Sequence, residues 1–195
     1  MHGLINRSIQ SYVCNSYGID TWHEVAAGAE LDFVEFEAMW SYDDALTPRV
    51  LEHLSLVLDR ARDEVMEDIG TYLVSHPDYE AVRRLLRFGG VSFEDFLHSL
   101  DDLPDRARLA VSDLNLPALE LREHAAGSFS LICEAPVAGY GYVMMGILRV
   151  MADDYGALAL LEHTGSGART ETLSISLVAI DFAEGRSFDL GAPTG

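Results

Sequence analysis

The sequence predicts an α+β fold, in which a helical N-terminal part is followed by a β-β-α-β-β segment with a four-stranded antiparallel sheet. Two observations predict it. Up to about residue 111, apolar residues recur at three- and four-residue spacing, which is typical of amphipathic helices. After Asn115 four short segments alternate apolar and polar residues, which favours strands paired as two hairpins.

The first elements are predicted to be two helices and an irregular stretch. Gly18 is expected to end the first helix, because glycine is favoured just after a helix C-terminus. Asp20 or Thr21 is expected to cap a second helix over about 22–29. The segment 31–40 is aromatic and irregular, and it is expected to form at most one helical turn.

Three helices are predicted next, and residues that favour helix N-termini mark two of their starts. Thr47 is expected to cap a helix that ends near Arg60, and Asp63 to cap one that ends before Pro77. A short helix over 80–88 then closes at a pair of glycines.

The longest amphipathic stretch is Phe93–Val111, which Ser92 is expected to cap, and it contains Pro104. Proline lacks a backbone donor and its ring crowds the carbonyl of Leu100, at a cost of about 3 kcal/mol inside a helix. The helix is therefore expected to bend or restart within about one turn of Pro104.

The remaining elements are two hairpins with a helix between them. The four strands are assigned, in order, to 119–124, 128–133, 157–163 and 170–180. The intervening helix is assigned to 139–154, and 182–195 is expected to be a C-terminal tail. Residues 1–181 are interpreted as a single domain, with a helical part over about 1–62 and a helix-plus-sheet part over about 63–181.

The net charge of the chain argues against two classes of binding partner. Thirteen Lys and Arg against 32 Asp and Glu give a net charge of −19, which repels nucleic acid and anionic membrane surfaces. No run of about 18 apolar residues is present, so membrane insertion is not expected. The N-terminus lacks the order of a secretory signal, and Cys14 and Cys133 form no disulfide framework. A cytoplasmic protein with reduced thiols is expected.

Motifs of catalysis and metal binding are missing from the sequence. It contains no GxSxG, P-loop or GxGxxG sequence. It also contains no HExxH and no cluster of Cys and His at metal-ligand spacing. Neither an active site nor a metal site is therefore expected.

Three segments resemble the H-NOX family, the haem nitric-oxide/oxygen-binding (HNOB) sensor domains. They are MHGLINRSIQSYVCNSYGIDTW at the start, FLHSLDDLPDRARLAVSDLNLPAL in the long amphipathic stretch, and GSFSLICEAPVAGYGYVMMGILRVMADDYG across the second strand and the next helix. The order of elements agrees with the family from residue 1 to about 180. The resemblance implies an H-NOX-like fold and a role in signalling.

The haem-binding residues that the resemblance implies are replaced in this chain. Pro104 stands where the family has its proximal histidine, and proline has no side-chain lone pair for iron. The Tyr-x-Ser-x-Arg motif that holds the haem propionates falls on Cys133, Ala135 and Val137. His98 lies roughly 240° around a continuous helix from position 104, so it points elsewhere. No haem cofactor is expected by the family's usual ligation.

By analogy with the family, a pocket lies between the helical part and the sheet part. The residues expected to face it are almost wholly apolar, and Tyr72 has the main polar group. They are Leu4, Ile5, Ile9, Tyr72, Leu73, Phe96, Leu100, Pro104, Leu109, Pro117, Leu131, Val143 and Ile147.

These observations leave three hypotheses. The first is a haem-independent H-NOX-like sensor or regulatory module that binds a small apolar ligand, a signalling protein such as a kinase or cyclase in trans, or both. The alternative is a haem-binding nitric oxide or oxygen sensor with atypical ligation. The third is a purely structural or enzymatic role.

Overall fold

Eight α-helices, a short 3₁₀ helix (Pro77–Tyr79) and a four-stranded sheet lie in the part of the chain that the computed structural model describes, residues 1–167 and 169–186. The first seven helices are α1 (Gly3–Tyr17), α2 (Ile19–Gly28), α3 (Leu46–Leu58), α4 (Arg62–Ser75), α5 (Glu80–Arg87), α6 (Phe93–His98) and α7 (Leu103–Ala110). The sheet region contains β1 (Ala118–Ala125), β2 (Ser128–Glu134), α8 (Tyr140–Tyr155), β3 (Leu158–Ser166) and β4 (Thr170–Ala179).

The four strands form one antiparallel sheet in the order β1-β2-β4-β3, so the predicted fold class is confirmed. Leu131 of β2 lies opposite Leu121 of β1 and Leu173 of β4. Side chains alternate between the two faces of a sheet, and the face with Leu131, Leu173 and Ile175 is fully buried. Helix α8 contacts β3 and β4 and packs against α4.

Helix α8 approaches α4 closely because each helix carries a glycine at their crossing. A Cβ atom on Gly146 would lie 2.7 Å from the backbone nitrogen of Thr71 and closer still to the carbonyl oxygen of Glu67. Gly70 of α4 lies in the same way against the backbone of Val143. The crossing therefore holds α8 close to α4.

Two predicted N-caps are wrong. Helix α3 begins at Leu46, so Thr47 lies inside it, and the Thr47 hydroxyl donates to Asn6 Oδ1 at 2.7 Å in the buried interior. Helix α4 begins at Arg62, one residue before Asp63, and Ala61 precedes it without a side-chain cap. At Thr47 a hydrogen bond to a distant residue replaces the local one that the sequence favours.

The region around α2 also differs from the prediction at its boundaries. Gly18, with φ +96°, ends α1 as predicted, but α2 follows it directly, so Asp20 and Thr21 lie within the helix. The segment 31–40 forms bends and turns without a helical turn. The Val34 carbonyl of this segment accepts a hydrogen bond from the indole nitrogen of Trp22 at 2.7 Å, and this bond connects the segment to α2.

Helices α6 and α7 replace the single long helix, as the position of Pro104 predicts. Ser92 forms a capping box with Asp95 at the start of α6, which ends at His98. Helix α7 then begins at Leu103 with Pro104 in its first turn, where a missing backbone donor costs no hydrogen bond. The break therefore follows from the backbone chemistry of proline.

The last described residues pack against the end of α8 rather than forming a free tail. The backbone nitrogens of Phe182 and Ala183 donate to the carbonyl of Gly156 at 2.8 and 3.1 Å, and that of Arg186 donates to Asp154 at 3.0 Å. The rest of the predicted tail, 187–195, lies outside the described residues, and the division of the domain near residue 62 stays a prediction. None of the helices described has the length and apolarity needed to span a membrane.

Candidate functional site

A cavity of about 250 Å³, partly open to solvent, lies between the helices and α8. One face of α1, the apolar sides of α4 and α5, and the start of α7 form one side of it. The first two turns of α8, the connection 114–117 and the segment 135–137 form the other side. The site therefore joins the helical region to the connections that lead into and out of the first hairpin.

Helical periodicity explains which side chains reach the cavity. Met66, Ile69 and Leu73 stand three and four residues apart on α4, and Tyr140, Val143 and Ile147 repeat that spacing on α8. Residues at this spacing share one helix face. Each helix thus contributes one apolar stripe to the wall.

Many residues expected at the pocket do line this cavity. They are Leu4, Ile5, Ile9, Leu73, Pro117, Val143 and Ile147, together with two positions of the altered haem motif, Ala135 and Val137. These residues come from four separate parts of the chain, so the tertiary fold brings them together.

The α7 region requires a correction. Leu103 and Ala107 face the cavity, whereas Leu109 is 89% exposed and belongs to the surface. It follows Ala107 by two residues, about 200° around the helix, so the two cannot share a face. Pro104 is partly buried next to Leu103 and is not part of the lining.

Four other expected residues lie in the core without reaching the cavity. Phe96 and Leu100 are fully buried before α7 begins, and neither lines the cavity. Leu131 is buried on the sheet face under α8. Tyr72 accepts a hydrogen bond from Asn15 Nδ2 at 2.8 Å, away from the lining.

Further lining residues were not among those expected from the sequence. They are Met1, Ser8, Thr47, Leu51, Met66, Ile69, Val82, Leu85, Leu86, Leu103, Ala107, Leu114, Asn115, Leu116, Pro136 and Tyr140. The apolar stripes of α4 and α5 carry a periodic signal that could have indicated their members. The connections carry no such signal, because their orientation depends on contacts with distant elements.

The cavity wall has few polar groups and no charged side chain among the described residues. The Ser8 hydroxyl donates to the carbonyl of Leu4 at 2.9 Å, and that of Thr47 donates to Asn6. Asn115 is exposed. Within the described part of the chain, the Tyr140 hydroxyl has no hydrogen-bond partner. This chemistry suits an apolar molecule.

The start of α8 is fixed by a buried carboxylate. Glu171 of β4 is 6% exposed and accepts hydrogen bonds from the backbone nitrogens of Gly139 at 2.5 Å and Gly141 at 2.9 Å. The negative charge is favourable there because the N-terminal end of a helix carries partial positive charge. Glu171 thereby holds the first turn of α8 and the segment before it against the sheet.

The residues present do not fit haem as the family resemblance implies it. Proteins hold haem iron mainly through His, Cys, Met or Tyr. Neither a histidine nor a cysteine lines the cavity as described, and Pro104 offers no donor atom. No Lys or Arg side chain in that lining could pair with a propionate. Met1, Met66 and Tyr140 are the lining residues of a type that ligates iron in other proteins.

The histidines close to these elements have other partners. His2 is buried and its Nδ1 accepts the backbone hydrogen bond of Leu4 at 3.1 Å, so it caps α1. His98 lies 3.7 Å from Glu123 and packs edge-on against Phe129. Across the described residues, no three His, Cys, Asp or Glu side chains are grouped in a way that could hold a metal ion.

Cys133, which the family resemblance aligns with the tyrosine of the propionate motif, lies in strand β2. It is 1% exposed and does not line the cavity. Burial raises the pKa of its thiol to about 12, and the nearby Glu171 adds to the increase. Cys133 therefore acts as a small core residue.

The family model described as Haem-NO-binding (HNOB) matches residues 2–162. Soluble guanylate cyclase 89Da of Drosophila melanogaster is 24% identical over 160 residues, which are 82% of this chain and 24% of that protein. Soluble guanylate cyclase gcy-32 of Caenorhabditis elegans is 27% identical over 155 residues, 78% of this chain and 23% of that protein. The chain spans about a quarter of the length of these relatives.

Solved structures of H-NOX proteins share the fold. The unliganded Fe(II) H-NOX protein from K. algicida matches with a TM-score of 0.76 at 18% identity, over 97% of this chain and all of that one. The S. oneidensis H-NOX protein in its Fe(II)NO state matches with a TM-score of 0.72 at 18% identity, over 91% of this chain and 99% of that one. Since the family model also covers most of the sequence, the chain belongs to the haem-NO-binding (H-NOX) family, as its sequence motifs predict.

Proposed function

We propose that this chain is a haem-independent H-NOX module that binds a small apolar molecule in its cavity and regulates a signalling protein. The observation that carries the proposal is the 250 Å³ cavity, whose wall among the described residues is apolar and has no charged side chain. The family resemblance implies, in addition, that Pro104 stands at the iron-ligand position and that the residues that hold the haem propionates are replaced.

The wall supports binding of a hydrocarbon-like ligand. Each methylene group removed from water contributes about 0.8 kcal/mol, and little polar surface opposes its entry. The ligand would contact both α5 and α8, because both helices line the cavity. A ligand that binds one arrangement of these helices more tightly shifts the population toward it, and such a shift can be read by a partner.

A cyclase or kinase in trans is the class of partner that we propose. The named relatives are guanylate cyclases, of which the matching region is about a quarter. The names of these relatives support a cyclase as the signalling protein that the module regulates.

Haem independence is tested by expression with a haem precursor. Purified wild-type protein is expected to be colourless and to show no Soret band after incubation with hemin. A stoichiometric Soret band would instead support the alternative, a haem-based gas sensor with atypical ligation through a residue such as Met66 or Tyr140. Pro104→His tests the ligand position separately, since a Soret band in that variant alone would show that the missing histidine excludes haem.

Ligand binding is tested with heptane and NMR of methyl groups. Heptane is expected to shift the methyl signals of Ile69, Leu73 and Ile147, which line the cavity. Ala107→Phe is expected to remove these shifts by filling the space. Ala110→Phe is the matched control, because Ala110 is exposed on the same helix. Wild-type spectra that do not respond to heptane would contradict ligand binding in the cavity.

A further inference from the structure

The polar side chains of the cavity wall differ in their hydrogen-bond partners, and the Tyr140 hydroxyl differs from the others. Ser8 and Thr47 each donate their hydroxyl proton to a protein oxygen, at 2.9 and 2.7 Å. Asn115 is exposed and can be solvated. Tyr140 is a half-buried lining residue, and its hydroxyl donates to no acceptor among the residues that the structure describes. The polar end of a tyrosine that packs in an apolar wall usually has a hydrogen-bond partner, and a bound ligand could supply one here.

Tyr140 is held in a defined place. It is the first residue of α8, between Gly139 and Gly141, whose backbone nitrogens both donate to the buried carboxylate of Glu171. These two bonds fix the backbone on both sides of Tyr140. Burial, with a contribution from Cys133, raises the pKa of the Tyr140 hydroxyl above its usual value of 10, so at neutral pH it remains a hydrogen-bond donor.

The charges around the cavity disfavour an anionic ligand. The described lining has no Lys, Arg or His side chain. The α-amino group of Met1 is bound to Asp44 and to the carbonyl of Tyr42. The chain as a whole has a net charge of −19. A carboxylate in this cavity would lose its hydration without gaining a cation, and that cost is large.

We propose, on the basis of the function proposed above, that the cavity selects an uncharged apolar molecule with a single acceptor oxygen, such as a ketone, aldehyde or ester, and that the Tyr140 hydroxyl donates to that oxygen. The hydroxyl then determines which end of the ligand lies at the start of α8. The apolar remainder of the ligand contacts the stripes of α4 and α5.

The test compares three probes of one chain length, heptane, 2-heptanone and heptanoate, at pH 7.5 in the full chain. In Tyr140→Phe the affinity for 2-heptanone is expected to fall about fivefold to tenfold, the usual effect of losing one hydrogen bond, while heptane binding is unchanged. Tyr142→Phe is the matched control, because Tyr142 lies on the same turn, stacks on His163 and is absent from the lining. In wild-type protein heptanoate is expected to bind at least tenfold more weakly than the ketone.

A second measurement needs no variant. Intermolecular NOEs in wild-type protein are expected between the C1 methyl group of 2-heptanone and the Tyr140 ring. Equal ketone affinity in wild type and Tyr140→Phe, a ketone bound without these NOEs, or heptanoate bound as tightly as the ketone would each overturn the inference while heptane binding still supported the proposed function. If heptane itself failed to bind, the proposed function would fail first.

Discussion

Arg83 donates two hydrogen bonds to the carboxylate of Asp154, from Nε at 2.6 Å and from Nη2 at 2.8 Å. Asp154 is 1% exposed near the end of α8, whereas Arg83 belongs to α5, whose apolar side lines the cavity. Arg87 adds a bond from Nη1 to the Asp154 carbonyl at 3.4 Å. Charged groups on one side of α5 thus fix a cavity wall to the C-terminal end of α8.

Replacing Asp154 with alanine is expected to lower the free energy of unfolding by about 3 kcal/mol, because it removes a buried carboxylate that accepts two hydrogen bonds from the charged guanidinium of Arg83. Urea denaturation followed by circular dichroism measures the loss. Glu80→Ala is the control, since it removes an exposed ion pair with Arg84 and is expected to cost about 0.5 kcal/mol or less. Equal losses in the two variants would show that burial of the Arg83–Asp154 pair is unimportant.

Glu171→Gln tests the anchor at the start of α8. The amide keeps one acceptor oxygen but loses the negative charge, so one of the two backbone donors, at Gly139 or Gly141, is left unpaired. We expect a loss of about 1–3 kcal/mol in the free energy of unfolding. Glu162→Gln on the exposed side of β3 is the control and is expected to change stability little. An unaffected Glu171→Gln variant would argue against the anchor.

Gly146→Ala tests the close crossing of α8 and α4. The added methyl group would overlap the backbone at Glu67 and Thr71, so the helices must separate, at a cost of about 1–3 kcal/mol. Thermal unfolding compares this variant with Gly165→Ala, where the new methyl group meets no atom within 4 Å. The crossing would not be tight if both variants melted at the wild-type temperature.

Thiol labelling tests the burial of Cys133. Its pKa of about 12 exceeds the ordinary value of 9.0, so about one molecule in ten thousand holds the thiolate at pH 8. In Cys14→Ser, which leaves Cys133 alone, a thiol reagent is expected to react slowly in buffer and fast in urea. The contribution of this thiol to stability is complete below pH 9 and is lost as the pH rises from 9 toward 12. Fast labelling of the native variant would contradict the burial.

Local chemistry made several features predictable. The capping box at Ser92, the glycine that ends α1 at Gly18 and the break near Pro104 each depend on residues adjacent in sequence. The prediction of an N-cap at Thr47 is wrong, because the Thr47 hydroxyl donates a hydrogen bond to Asn6, which lies 41 residues away in the sequence. The prediction that Leu109 faces the pocket is wrong, because the side of α7 on which a residue lies depends on where that helix restarts.

The sequence alone determined the family and the α+β order of elements. It also predicts that Pro104 stands at the iron-ligand position and that the propionate motif is lost. These properties reside in residue types and their spacing. Only the tertiary structure decided that a 250 Å³ cavity remains and that Leu103 and Ala107, rather than Leu109, face it. It also decided that Tyr140 belongs to the cavity wall, where its hydroxyl has no hydrogen-bond partner in residues 1–167 and 169–186. Such facts depend on contacts between distant segments. A cavity is formed by several elements together, so the sequence of one element does not reveal it.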